Sequence, residues 1–315
     1  TSQHLANMAW ACAKLGAVDV CWSSLARASL ARSFKPQEAC NLLWAFATAT
    51  VNVRDDTMSK VVAFLSTTLH SQLPRCNPQD HANFLWSMVA LTAAERRISS
   101  AIAQSASEKL PEFSVTQVSA LLWAVAKSNL DEPTLFQRAG VWLDEEKIQL
   151  LGTQHVANLL WSFAVVQQSP ESVSGLLTKA IDMANEFRSA ELTGVLWAFA
   201  GAGWSERKLV GAFANSSTMK VTEFRADELA TVAASLARLS QDANGLYRAC
   251  LMQLDTNEWK KLSADEMVTT LRALVALMQA KKLTLASKET CSIEAAAAAC
   301  VATGSFTPSQ ICSVI

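Results

Sequence analysis

Polar side chains recur at three fixed positions along the chain. They stand seven residues before, three residues before and four residues after a position that is usually tryptophan, which we call the motif position. These offsets place all three on one face of a helix. Asparagine and glutamine carry both hydrogen-bond donors and acceptors, which suits the edges of nucleic-acid bases. We call this set the polar ribbon, and its candidate RNA-binding members are Gln3, Asn7, Lys14, Gln37, Asn41, Gln79, Asn83, Thr116, Lys127, Gln154, Asn158, Asp227, Thr231 and Arg238.

Two uses of the ribbon stay open. Some helical-repeat proteins read single-stranded RNA one base per repeat through two or three side chains, and in that use Lys14, Lys127 and Arg238 would contact phosphates. Alternatively, the asparagines three residues before the motif position form a ladder of hydrogen bonds to the backbone of the next repeat. The side chains seven residues before the motif position lie nearer the helix start, and for these side chains contact with a ligand is favoured over a structural role.

The motif indicates which elements position the ribbon. Residues 158–164 read Asn-Leu-Leu-Trp-Ser-Phe-Ala, and close copies recur at gaps between 34 residues (positions 10 to 44) and 42 residues (positions 44 to 86). Two later copies have Ala234 and Arg272 in place of tryptophan. A recurrence near 38 residues is typical of a repeat array, in which each unit buries its apolar face on its neighbours. The motif tryptophans are Trp10, Trp44, Trp86, Trp123, Trp161 and Trp197.

The sequence pattern of each repeat predicts two helices. Helix A contains the motif, and its start is marked by signals such as the capping box of Ser114 with Gln117 or a proline at the first helical position, as at Pro78. Helix B is amphipathic and more variable in length, for example over residues 133–146. The pattern predicts no strand.

The predicted fold is therefore all-α: a right-handed α-solenoid of about eight helix-turn-helix repeats of about 38 residues each. Because such an array grows linearly, we predict one domain over residues 1–315. The predicted repeats are approximately 1–34, 35–76, 77–113, 114–151, 152–187, 188–224, 225–262 and 263–306, with a partial repeat at 307–315.

Helix A is apolar on nearly all sides, and a helix of that kind is expected to be buried on all sides. The motif tryptophans are accordingly predicted to be core residues that fill the space between repeats together with phenylalanine. Truncation of one of them to alanine is expected to cost roughly 3 to 5 kcal/mol.

Composition limits the classes of function. The formal net charge is -1, and no segment forms the strongly basic block that usually accompanies tight nucleic-acid binding. The four histidines stand on different repeats, so no metal site is predicted. No phosphate-binding loop or nucleophile motif is present, and we expect neither a cofactor nor an enzyme. The apolar runs are too short for a membrane span.

The motif resembles the octotricopeptide repeat family, and more loosely the helical repeats that precede RAP domains in organelle proteins. The best matches are residues 7–13, 41–47, 83–89 and 158–164. The resemblance implies a superhelix of paired helices that binds single-stranded or ribosomal RNA in a mitochondrion or chloroplast. It also implies a role in transcript stabilisation, processing or translation, or as a ribosomal subunit.

Two functional hypotheses follow. In the first, the polar ribbon recognises RNA and the basic side chains contact its phosphates. In the second, which the near-neutral charge favours, the chain is a scaffold subunit of a large organellar complex and binds other proteins through apolar faces of the B helices.

Overall fold

The structure is a computed structural model that describes residues 1–17, 22–49, 56–93 and 95–239. Within these ranges the regular elements are α-helices and short 3₁₀ turns, with no strand, which confirms the predicted all-α class. The predicted repeats 263–306 and 307–315, and repeat 225–262 beyond Leu239, lie outside the described residues. The handedness of the solenoid stays a prediction.

The chain divides into two compact units, Thr1–Leu151 and Gly152–Ile315. The division falls at the predicted boundary between two repeats, and the single domain over residues 1–315 stays a prediction.

The helices of the described ranges, numbered in chain order, are α1 (Ser2–Lys14), α2 (Trp22–Leu30), α3 (Pro36–Thr48), α4 (Asp56–Ser71), α5 (Pro78–Ala90), α6 (Arg96–Glu108), α7 (Val115–Lys127), α8 (Pro133–Trp142), α9 (Glu145–Gln149), α10 (Thr153–Val165), α11 (Ser174–Asp182), α12 (Ser189–Ala202), α13 (Arg207–Met219) and α14 (Ala226–Arg238).

Each unit is a two-layer stack of helical hairpins. In the first unit, α1, α3, α5 and α7 are the A helices and pack in that order, while α2, α4, α6 and α8 form the B layer in the same order. In the second unit, α10, α12 and α14 form the A layer, and α11 packs on α13 in the B layer. This arrangement confirms stacked helix-turn-helix repeats within each unit, because every hairpin buries its apolar side on the next.

The A helices start where the sequence predicts. At α7 the backbone N–H of Gln117 donates to Ser114 Oγ over 3.3 Å, and the N–H of Ser114 donates to Gln117 Oε1 over 2.9 Å. Asn77 and Asp80 form the same reciprocal pair at the start of α5, with both bonds at 2.9 Å. These capping boxes satisfy backbone N–H groups that the first turn leaves without a partner.

One B helix differs from its prediction. Residues 133–146 are not continuous, because α8 ends at Trp142 and α9 begins at Glu145. Between them the Asp144 side chain accepts a 3.0 Å hydrogen bond from the backbone N–H of Lys147 and so acts as the N-cap of α9. Aspartate is a preferred N-cap, and this local bond competes with continuation of the preceding helix.

The core between the layers contains the phenylalanines of the motif rather than its tryptophans. Phe46, Phe163 and Phe199 stand two residues after the motif position and are fully buried. The prediction that the motif tryptophans are core residues is wrong: Trp10 is 42% exposed, Trp197 is 53% exposed and the other four are partly exposed. Two residues along a helix turn the side chain by about 200°, so a buried phenylalanine directs the tryptophan before it outward.

Candidate nucleic-acid interface

The motif tryptophan shares its helix face with the polar ribbon. The three ribbon positions of a repeat lie seven residues before, three residues before and four residues after the motif position. Together with the motif position they are separated by four, three and four residues, which is the spacing of one stripe along a helix. In α3 the stripe consists of Gln37, which is exposed, and of Asn41, Trp44 and Thr48, which are partly exposed. The neighbouring Leu43 is fully buried. We call these four positions of each A helix the exposed stripe.

In the first unit the exposed stripe is rich in amides and contains no carboxylate. Its sixteen positions on α1, α3, α5 and α7 include two charged residues, Lys14 and Lys127. The predicted ribbon members that are exposed are Gln3, Asn7, Lys14, Gln37, Gln79, Thr116 and Lys127, and the partly exposed members are Asn41 and Asn83.

In the second unit the stripe is less polar. Gln154 is exposed and Asn158 is partly exposed on α10, but α12 has Ala190 and Gly194 at the corresponding positions. On α14 the motif position is Ala234, which is buried. The other predicted members on α14 are Arg238, which is exposed, and Asp227 and Thr231, which are partly exposed.

Neighbouring motif tryptophans form a row within each unit. In the first unit the ring centroids of Trp10 and Trp44 are 6.2 Å apart, and those of Trp44 and Trp86 are 6.4 Å apart. In the second unit Trp161 and Trp197 are 6.5 Å apart, with their planes only 15° from parallel. A Cβ built on Gly194 would lie 4.0 Å from Trp161 Cδ1, so the Trp161 ring lies against the next A helix.

The asparagines do not form the proposed ladder among the described residues. The side chains of Asn7, Asn41 and Asn158 make no hydrogen bond to that part of the chain, whereas Asn83 Oδ1 accepts one from Gln79 Nε2 at 2.6 Å. Because buried amides are normally satisfied, side chains without an internal partner indicate a surface that is open to water or to a ligand.

Arg238 lines a cavity in the second unit. The cavity has a volume of about 480 Å³, and its lining includes Arg207, Arg238 and Ser205. Neither arginine forms an ion pair within the described ranges. Arginine side chains in the lining of a cavity suit a phosphate group, since each guanidinium presents a planar fork of N–H donors.

His81 has a structural role. His81 is buried, with Nδ1 at 2.8 Å from the carbonyl oxygen of Asn77 and Nε2 at 3.1 Å from Ser105 Oγ. Burial lowers the pKa of the His81 side chain below its usual value. In the described ranges no three histidine, cysteine or acidic side chains lie close enough to hold a metal ion. No helix in those ranges is long and apolar enough to span a membrane.

Comparison with known proteins corrects the family assignment. Comparison with curated proteins finds no match. A family model described as RNA-editing substrate-binding complex 6 protein matches residues 3–301. The octotricopeptide assignment is therefore wrong, because alternating small, apolar and aromatic residues near this period characterise stacked helical hairpins in general. The match supports neither a chloroplast location nor a ribosomal role. The chain belongs to the RNA-editing substrate-binding complex 6 protein family.

Proposed function

We propose that this chain is a non-catalytic, RNA-binding component of an RNA-editing substrate-binding complex in an organelle of mitochondrial type. The family match over residues 3–301 supports the complex. The observation that carries RNA binding is the set of stripe amides without a partner: the side chains of Asn7, Asn41 and Asn158 make no hydrogen bond within the described residues. Their donors and acceptors are free to meet the edges of unpaired bases, as in other single-strand readers.

The charges of the first unit agree with this proposal. Its stripe contains Lys14 and Lys127 and no acidic residue, although the chain as a whole has a formal net charge of -1. Each phosphate contact contributes about 0.7 to the slope of log affinity against log salt for a single strand. With few basic contacts, we expect RNA affinity to fall with salt on a shallow slope.

A second candidate function is that of a protein scaffold, and two exposed apolar side chains favour it. Val141 on α8 and Leu150 directly after α9 are 87% and 74% exposed. A contiguous exposed apolar patch can mark a protein-binding surface, and these two side chains are candidate contacts for one. The two functions use different sides of the hairpins, so a component of a multiprotein RNA complex can combine them.

The proposed function is tested with a variant on the stripe of α3. Gln37→Ala/Asn41→Ala should weaken binding of a single-stranded RNA about tenfold, or about 1.4 kcal/mol, because amide contacts to bases are lost. Thermal stability should stay close to that of the unmodified protein, since neither side chain is buried or hydrogen-bonded within the described ranges. Fluorescence anisotropy with a labelled oligonucleotide measures the affinity.

The matched control is Val141→Ser/Leu150→Ser, which changes two exposed residues of the same unit outside the stripe. This variant should bind RNA normally and should lose affinity for protein components of the complex if the scaffold candidate is correct. If the Gln37/Asn41 variant binds RNA as tightly as the unmodified chain does, the amides on the exposed stripe of α3 do not contact RNA. If the unmodified chain binds no RNA, the RNA-binding function itself is wrong.

A further inference from the structure

We propose that the motif tryptophans of the first unit are stacking platforms for the bases of single-stranded RNA, so that recognition tolerates sequence and is not a one-base-per-repeat code. The inference rests on the proposed RNA-binding function and names the side chains and the type of contact. The platforms are Trp10, Trp44 and Trp86 on α1, α3 and α5.

Exposure of these rings is the first observation. Trp10 is 42% exposed, and Trp44 and Trp86 are partly exposed, so part of each indole is accessible to a ligand. The same motif buries a phenylalanine completely two residues later in α3, at Phe46. The repeat therefore has a core position for an aromatic ring, and the tryptophan stands outside that position.

The spacing of the rings is the second observation. Their centroids are 6.2 Å apart between Trp10 and Trp44 and 6.4 Å apart between Trp44 and Trp86, with interplanar angles of 35° and 31°. These separations are about twice the 3.4 Å rise per nucleotide of one strand in a duplex. Successive bases can therefore lie on successive rings when the strand is stretched and its bases are unstacked from one another.

The polar side chains next to the rings favour RNA as the ligand over an apolar protein segment. Asn7 and Asn41 stand three residues before Trp10 and Trp44 on the same helix face, and their side chains have no hydrogen-bonding partner in the described ranges. A base that stacks on an indole places its polar edge beside such an amide. Lys14 and Lys127, with no carboxylate on the stripe, complement phosphates. A hydrophobic peptide would leave the Asn7 and Asn41 amides without partners, at a cost in free energy.

Stacking on aromatic rings is sequence-tolerant because every base has a π face. We expect homopolymeric single strands of uridine, adenosine and cytidine to bind with affinities within about tenfold of one another. The second unit should contribute less, since Ala190 and Gly194 replace the amides beside Trp197 and Ala234 replaces the tryptophan of α14.

The test compares two substitutions of the same rings in the full chain. Trp10→Leu/Trp44→Leu keeps apolar side chains but removes the π faces, whereas Trp10→Phe/Trp44→Phe keeps an aromatic face at each position. With an oligouridylate long enough to span the unit, the leucine variant should bind roughly 5-fold to 100-fold more weakly per ring. The phenylalanine variant should stay within a few-fold of the unmodified protein. Helical circular dichroism checks the fold of both variants.

Unchanged affinity in the leucine variant overturns the proposal, and so does an equal loss in both variants, because a stacking contact distinguishes them. If the Gln37→Ala/Asn41→Ala variant loses RNA while the leucine variant does not, the RNA-binding function survives and stacking is wrong. Quenching of tryptophan fluorescence during titration of the unmodified protein with oligouridylate is the second measurement, and it does not depend on the folding of a variant. Saturable quenching supports stacking, and binding without quenching contradicts it.

Discussion

At the scale of single residues, the motif contains two aromatic side chains with opposite environments. The sequence predicted Phe46 correctly as core but placed Trp44 there as well, because hydrophobicity alone does not separate them. The signal that separates them is positional: the tryptophan lies three residues after one ribbon position and four before the next, and so belongs to the polar face. The polar ribbon itself was predictable from the same spacing.

The difference in environment predicts a difference in stability. Phe46→Ala should cost roughly 3 to 5 kcal/mol, because it leaves a cavity between fully packed helices. Trp44→Ala should cost less than Phe46→Ala, since part of the indole is in water in both the folded and unfolded states. Chemical denaturation followed by circular dichroism measures both. Equal losses would mean that the indole is a core residue after all.

At the scale of elements, the sequence predicted where helices start better than it predicted whether a helix continues without a break. Capping boxes depend on neighbouring residues and local bonds, so the sequence indicates them directly, as for Ser114 with Gln117. The break between α8 and α9 was missed, because Asp144 can equally continue a helix on its solvent face or cap a new one. Packing of the surrounding elements decides between these, and a single sequence does not show it.

Two glycines in or directly after α12, Gly194 and Gly203, are predicted to respond in opposite ways to substitution by alanine. Gly194→Ala should stabilise the second unit by about 0.5 to 1 kcal/mol, since glycine inside a helix is unfavourable and the new Cβ meets only an ordinary contact with Trp161. Gly203→Ala should destabilise it, because Gly203 ends the helix at a φ of 72°. Thermal melting of each variant gives the sign, and a destabilising Gly194→Ala would contradict the described packing.

At the scale of the whole molecule, the repeat period predicted the fold class, because stacking is the way such hairpins bury their apolar faces. The family could not be read from the motif, since the same packing constraints act on unrelated repeat arrays. The near-neutral charge at first argued against RNA. Aromatic stacking removes that difficulty, because it contributes affinity without requiring a net positive charge.

The most direct test of the account is to map where RNA lies on the chain. Ultraviolet cross-linking of the unmodified protein to a single-stranded RNA, followed by mass spectrometry, should place the cross-linked peptides on α1, α3 and α5, at or beside Trp10, Trp44 and Trp86. Cross-links confined to the B helices, with the exposed stripe unlabelled, would contradict the claim that this stripe is the RNA-binding surface.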